Sequence, residues 1–239
     1  MNRKVVTLIL LAIFAQLVGL SAAWQANARA PKAQYLTMAP LDQYLIANRD
    51  AEIAMARSAA PKSISGGAEV LVLGQKGYYT AVKGKNGFVC MVERSWSAGL
   101  NDPDFWNPKL HAPICFNPPA VRSYLPITIM KTDLALAGRS KAQIFGAIKA
   151  ALDKSELPTL EPGAIGYMMS KRQYLGWYPH VMVFVPLTEA TTWGAGLPGC
   201  PILASEDPPE RLTEFLIPVG HWSDGTLAPA FSANSIHTD

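Results

Sequence analysis

Apolar positions follow two rhythms along this chain, one helical and one extended. Leu45, Ile46, Ile53 and Ala56 recur at helical spacing between Asp42, which can cap a helix, and Pro61, which stops one. They predict a helix from Asp42 to about Ala60. Ser140-Lys141-Ala142-Gln143 matches a capping box, and Ile144, Ile148, Ala151 and Leu152 line one face behind it. A further helical stretch is expected over 120–137, with Pro126 near a first turn or a kink and Gly138 as its stop.

Short apolar runs bounded by turns read as strands. Glu69–Leu73, Tyr78–Lys83 and Phe88–Glu93 are separated by Gly74-Gln75-Lys76-Gly77 and Gly84-Lys85-Asn86-Gly87, which predicts an antiparallel meander. Phe88 to Val92 does not alternate, so this strand is expected to be central and covered on both faces. Later strands are expected at Ala164–Met169, Val181–Val185 and Thr213–Val219, and Val181–Val185 again lacks alternation and reads as buried. Residues 97–119 hold five prolines beside Phe105, Trp106 and Phe116 and read as a long ordered loop; 194–209 reads as turn-rich. The fold class that follows is α+β: an antiparallel sheet, the meander plus later strands, with helices packed on one face.

The N-terminus changes the compartment. Arg3 and Lys4 precede Val5 to Leu20, almost wholly apolar, and Ser21-Ala22-Ala23 are small. This is the pattern of a secretory signal peptide over 1–23, with Ala28 as an alternative cleavage point. The apolar run is short against the roughly 20 residues of a spanning helix. A flexible lead-in over 24–40, one globular domain over 41–227 and a flexible tail over 228–239 are expected to follow. The localisation this implies is secreted or periplasmic, with no transmembrane segment in the mature chain. The 21 basic and 18 acidic side chains give +3, but Arg3 and Lys4 belong to the leader. The remainder is close to neutral, so no nucleic-acid partner is expected.

Export permits disulfides. Of Cys90, Cys115 and Cys200, the candidate pair is Cys90 with Cys115. The bridge would close about 25 residues and contribute roughly 3 kcal/mol. Two buried thiols packing as small hydrophobes are the alternative.

No nucleophile elbow, zinc-protease, Ser-x-x-Lys or Walker motif occurs, and the histidines show no metal-ligand spacing, so neither cofactor nor metal is expected. The richest segment is 170–180. Ser170 and His180 would flank a hairpin loop at one end of the sheet. Lys171, Arg172, Tyr174, Trp177 and Tyr178 add cations and flat amphipathic surface suited to an anion, a sugar or a ring. Glu93 and Arg94 end the buried third strand: one could act as a base, the other hold a carboxylate or phosphate, or both could form ion pairs. His221 sits beside Asp224 after the last strand. Two functions fit these residues. The first is a non-catalytic exported domain binding a small molecule, glycan or protein. The alternative is an exported hydrolase with an irregular site of His180 or His221 with Ser170 or Glu93.

Overall fold

A proline in the middle of the molecule decides where the sheet opens. The structure, a computed structural model, describes residues 35–174 and 177–231. Its strands are β1 (Glu69–Gly74), β2 (Gly77–Val82), β3 (Val89–Arg94), β4 (His111–Phe116), β5 (Ile165–Met168), β6 (His180–Pro186), β7 (Leu203–Asp207) and β8 (Leu212–Pro218). They form one eight-stranded sheet in the order β2-β1-β3-β4-β5-β6-β8-β7. Every neighbouring pair is antiparallel except β1 with β3. The signal peptide expected over 1–23 lies outside the described residues, as does the tail beyond 231.

The helices are α1 (Arg49–Arg57), α2 (Lys62–Ser65), α3 (Pro118–Ser123), α4 (Leu125–Leu136) and α5 (Lys141–Asp153). The fold is α+β, as the order of elements predicts. The helices, however, do not share one face. Met91, Ile114 and Phe116 pack with residues of α3, α4 and α5, whereas Cys90, Val92 and Cys115 pack with Ala56 of α1 and with Ala59 and Ala60 beyond it. All six residues of β3 are buried, which a one-sided cover could not achieve. On β6 the alternation returns: His180, Met182 and Phe184 are buried, while Val181, Val183 and Val185 are only half-buried. The second face of that strand is therefore less covered, since α1 packs mainly on β1, β3 and β4.

Three local expectations change. The first helix begins at Arg49, not Asp42, because the Asn48 side chain accepts the Asp50 and Ala51 amides. The first three strands are no meander, since β3 crosses to the far side of β1 and runs parallel to it. Asn86 is spent anchoring that crossing, its amide donating to Ile64 O at 2.8 Å, instead of closing a tight hairpin. The helical stretch over 120–137 breaks at Tyr124, with Pro126 in the first turn of α4. The capping box of α5 forms as expected, with Ser140 and Gln143 bonded in both directions.

Strand β4 lies inside the segment expected to be a loop. Pro113 hides it, since proline is rarely central in a sheet. The ladder explains the exception. Asn117 N donates to Ile165 O, and Cys115 pairs with Tyr167, so alternate residues of β4 face β5 and Pro113 is the next in that series. It has no N–H to give. Met169, which would oppose it, sends its own N–H to Ala59 O at 2.8 Å. The β4–β5 ladder ends after two residue pairs, and the sheet splits there.

Cys90 and Cys115 stand directly opposite each other on β3 and β4, fully buried, and are joined by a disulfide. Cys200 carries a free thiol. Among the described residues no helix is long and apolar enough to cross a membrane.

Candidate functional site

The split between β4 and β5 opens into a cleft of about 170 Å³ on the face carrying α3–α5. Leu110 and Ala112 form its β4 side, and Met168, His180 and Met182 its β5–β6 side. Glu93, Glu214 and Ser205 come from β3, β8 and β7, while Tyr124 and the 97–102 segment complete the enclosure. Trp177 borders it beside His180, with ring centroids 6.3 Å apart. A second, apolar cavity of about 110 Å³ shares Trp177, His180 and Leu216 and is bordered by Tyr178 and Phe231.

Each polar group has a local reason for its position. Glu93 alternates with Arg94 and so faces the cleft side, opposite the small Ala112. Its carboxylate accepts from Thr128 Oγ1 at 3.3 Å. Burial, and then the neighbouring Glu214, push its pKa up to about 8. Burial also raises Glu214, whose Oε1 accepts the Tyr124 hydroxyl at 2.8 Å. His180 is 5 % exposed. Its Nδ1 lies 2.7 Å from Tyr178 O, the geometry of an N–H donated to a carbonyl. Burial lowers its pKa, so the ring stays neutral with Nε2 carrying the lone pair. Nε2 is buried and has no hydrogen-bond partner among the described residues.

The cleft's rim is clasped by a charge. Lys131 of α4 is buried; its Nζ donates to Ser97 O at 2.9 Å and Ala98 O at 3.1 Å and pairs with Glu210. Burial pushes Glu210 up to about 7.

The residues singled out in the sequence divide between the cleft and elsewhere. Glu93, Trp177 and His180 come together at it, and Tyr178 borders the adjoining cavity. Ser170 does not meet His180. Met168 opposes His180 in the ladder, and the Ser170 hydroxyl lies 2.6 Å from Ser58 Oγ and accepts the Arg172 amide. His221 is exposed in a turn, bridged to Leu227, and is away from the cleft. Lys171 pairs with Asp224 at 2.7 Å on the surface, and Arg172 is exposed. Tyr174 packs on the core, its hydroxyl accepting from Asn107 Nδ2 at 2.6 Å. Arg94 spends its guanidinium on the opposite face, with Nε donating to Tyr44 O at 2.7 Å and NH2 to Glu52 at 2.8 Å. Arg94 also lines the cleft, but its guanidinium is engaged in the internal ion pair that the sequence offered as the other reading.

Glu214, Tyr124, Ser205 and Lys131 were not legible as site residues. They sit on elements far apart in sequence, and only the register β6–β8 and the packing of α4 bring them to one place. A carboxylate in an apolar strand, as at Glu214, was the one available signal. No known family, no curated protein and no solved structure matches this chain.

Proposed function

We propose that this chain is an exported binding protein for a small molecule with an apolar body and a polar head, seated in the cleft between Glu93 and His180. The observation that carries the reading is His180 Nε2, a buried base without a partner among the described residues, beside the Trp177 ring. Leaving a buried acceptor unsatisfied costs about 1–3 kcal/mol, which a ligand's N–H or O–H would recover. The volume suits a fragment-sized molecule, well below the roughly 300–1,000 Å³ of drug-sized sites. Met168, Met182 and Leu216 supply an adaptable apolar floor. The leader pattern over 1–23 and the Cys90–Cys115 bridge support export. Hydrolysis through a Ser170–His180 pair is disfavoured, because the Ser170 hydroxyl is engaged with Ser58.

Benzyl alcohol, benzylamine and benzoate offer one ring with three heads and test the reading by titration and thermal shift. At least one should bind, and Trp177→Ala should weaken it by roughly tenfold with little change in Tm. Failure of all three to bind would overturn the reading. Mass spectrometry of extracellular or periplasmic material should find a terminus at Trp24 or Arg29, and an intact Met1 there would refute export by cleavage.

A further inference from the structure

We infer that the cleft takes a small organic ammonium, its nitrogen held among Glu93, Glu214 and His180 and its apolar body laid against Trp177. The inference rests on the binding reading above and adds the ligand's class.

Carboxyl groups dominate the cleft's polar inventory, Asp102 lining it beside Glu93 and Glu214, while the protonated Glu93 and the Ser97 and Ser205 hydroxyls are its donors. Glu93 and Glu214 offer carboxyl oxygens, and His180 Nε2 a lone pair. Ser97 Oγ, also bordering the cleft, is buried and unpartnered among the described residues. The nearby cations are committed elsewhere: Arg94 to Glu52, Tyr44 O and Val92 O, and Lys131 to Glu210, Ser97 O and Ala98 O. An anionic head would therefore meet two carboxyl groups and a lone pair. An alcohol supplies a single donor. A primary ammonium supplies three donors and a charge, matching several acceptors at once. Trp177 adds an aromatic face, which attracts a cation further.

The charge balance has a consequence. Glu93 faces Thr128 and Lys131 of α4, Glu210 of the turn between β7 and β8, Glu214 of β8, and Tyr124 and Tyr78, with His180 across the cleft. With Glu214 beside it and Lys131 taken by Glu210, the empty cleft keeps a proton on Glu93 at neutral pH. An arriving ammonium replaces that proton as the positive partner. The Glu93 O–H bond breaks, the electron pair stays on the carboxylate, the proton leaves to solvent, and the amine keeps its own protons.

Calorimetry on the mature chain at pH 7, run in phosphate and in Tris, reads both affinity and proton release. Benzylamine should bind at least roughly tenfold more tightly than benzyl alcohol. It should release about one proton per molecule bound, whereas benzyl alcohol releases none. Glu93→Gln should abolish the release and weaken benzylamine at least roughly tenfold more than it weakens benzyl alcohol. In the unmodified protein, benzylamine affinity should climb from pH 6 to pH 8 while that of benzyl alcohol stays level, a test independent of how the variant folds. Benzyl alcohol or benzoate binding as tightly as benzylamine, or a flat pH profile for benzylamine, overturns the inference and leaves the binding reading standing. Silence from all three ligands overturns the binding reading itself.

Discussion

Glu93 and Arg94 are consecutive in sequence and end on opposite faces of the sheet, Glu93 reaching Thr128 of α4 and Arg94 reaching Glu52 of α1. Alternation along β3 separates them, and each is buried. These two neighbours thus yield a structural ion pair on one side and a buried carboxyl group with a raised pKa on the other. The difference lies in what opposes each. α1 brings Arg94 a carboxylate, whereas the cleft brings Glu93 a second carboxyl group.

Removing Glu52 tests the structural half. Its Oε1 accepts both Arg94 NH2 and the Leu73 amide at 3.1 Å. Glu52→Ala leaves a fully buried guanidinium without a counter-charge and should cost about 3–5 kcal/mol. Glu52→Gln keeps an acceptor and should cost less. Urea denaturation of both variants gives the comparison, and a loss under about 1 kcal/mol for Glu52→Ala would show that water reaches Arg94 in solution.

The Glu93 half predicts a pH dependence of stability. Its folded pKa, near 8, lies above the ordinary carboxylate value of 4.5. Between those values the folded state holds a proton that the unfolded chain has released. The associated stability is full below the unfolded pKa and disappears as pH rises through the folded one, by about 1.4 kcal/mol per pH unit while a whole proton differs. Burial raises Glu210 and Glu214 as well, so they slope the same way. Glu93→Gln should therefore flatten the decline only in part. The variant should gain on the parent steadily from pH 5 to pH 8 in urea titrations. Parallel profiles would mean that Glu93 is already ionised in the folded protein.

The disulfide should carry a substantial share of the total stability. The Cys90–Cys115 bridge spans 25 residues of sequence and ties β3 to β4, whose other neighbour β5 holds on by a short ladder. Replacing both cysteines by alanine should cost about 2–4 kcal/mol. Maleimide should label Cys200 alone in the native protein. Labelling of all three cysteines without reductant would show the bridge unformed.

How far the sequence carried the fold depends on where its signals were local. The capping box at Ser140 and the apolar run of β3 are decided by neighbours within a few residues, and both elements formed where expected. β4 was hidden because Pro113 reads as a breaker, and only the direction of its missing N–H, toward the split, makes it tolerable. β7 was hidden because Leu203–Asp207 is polar and short, an edge strand recognised by its partner β8. The cleft was half visible. Trp177 and His180 stand in one chemically rich loop, and Glu93 is conspicuous in an apolar strand. Glu214 and Lys131 are isolated charges whose meaning comes from the packing around them.

Lys131 gives the last prediction, because its ion pair also shapes the cleft. The ammonium holds the Ser97 and Ala98 carbonyls and the Glu210 carboxylate at one point, binding α4 to the rim and to the turn before β8. Lys131→Met leaves Glu210 buried without a partner and should cost about 3–5 kcal/mol, reduced toward low pH as Glu210 takes a proton. Adding Glu210→Leu removes the stranded carboxyl group, and apolar replacements of whole buried pairs are often neutral. The double variant should recover most of the lost stability, short of the cost of two orphaned carbonyls. Binding should not recover with it. The Ser97–Ala98 segment loses its clasp in both variants, so benzylamine and benzyl alcohol should each bind roughly tenfold more weakly to the double variant than to the parent. Denaturation and titration of the same samples separate the two effects. A double variant that regains stability and binds both ligands at parental affinity would show that the rim keeps its shape without Lys131.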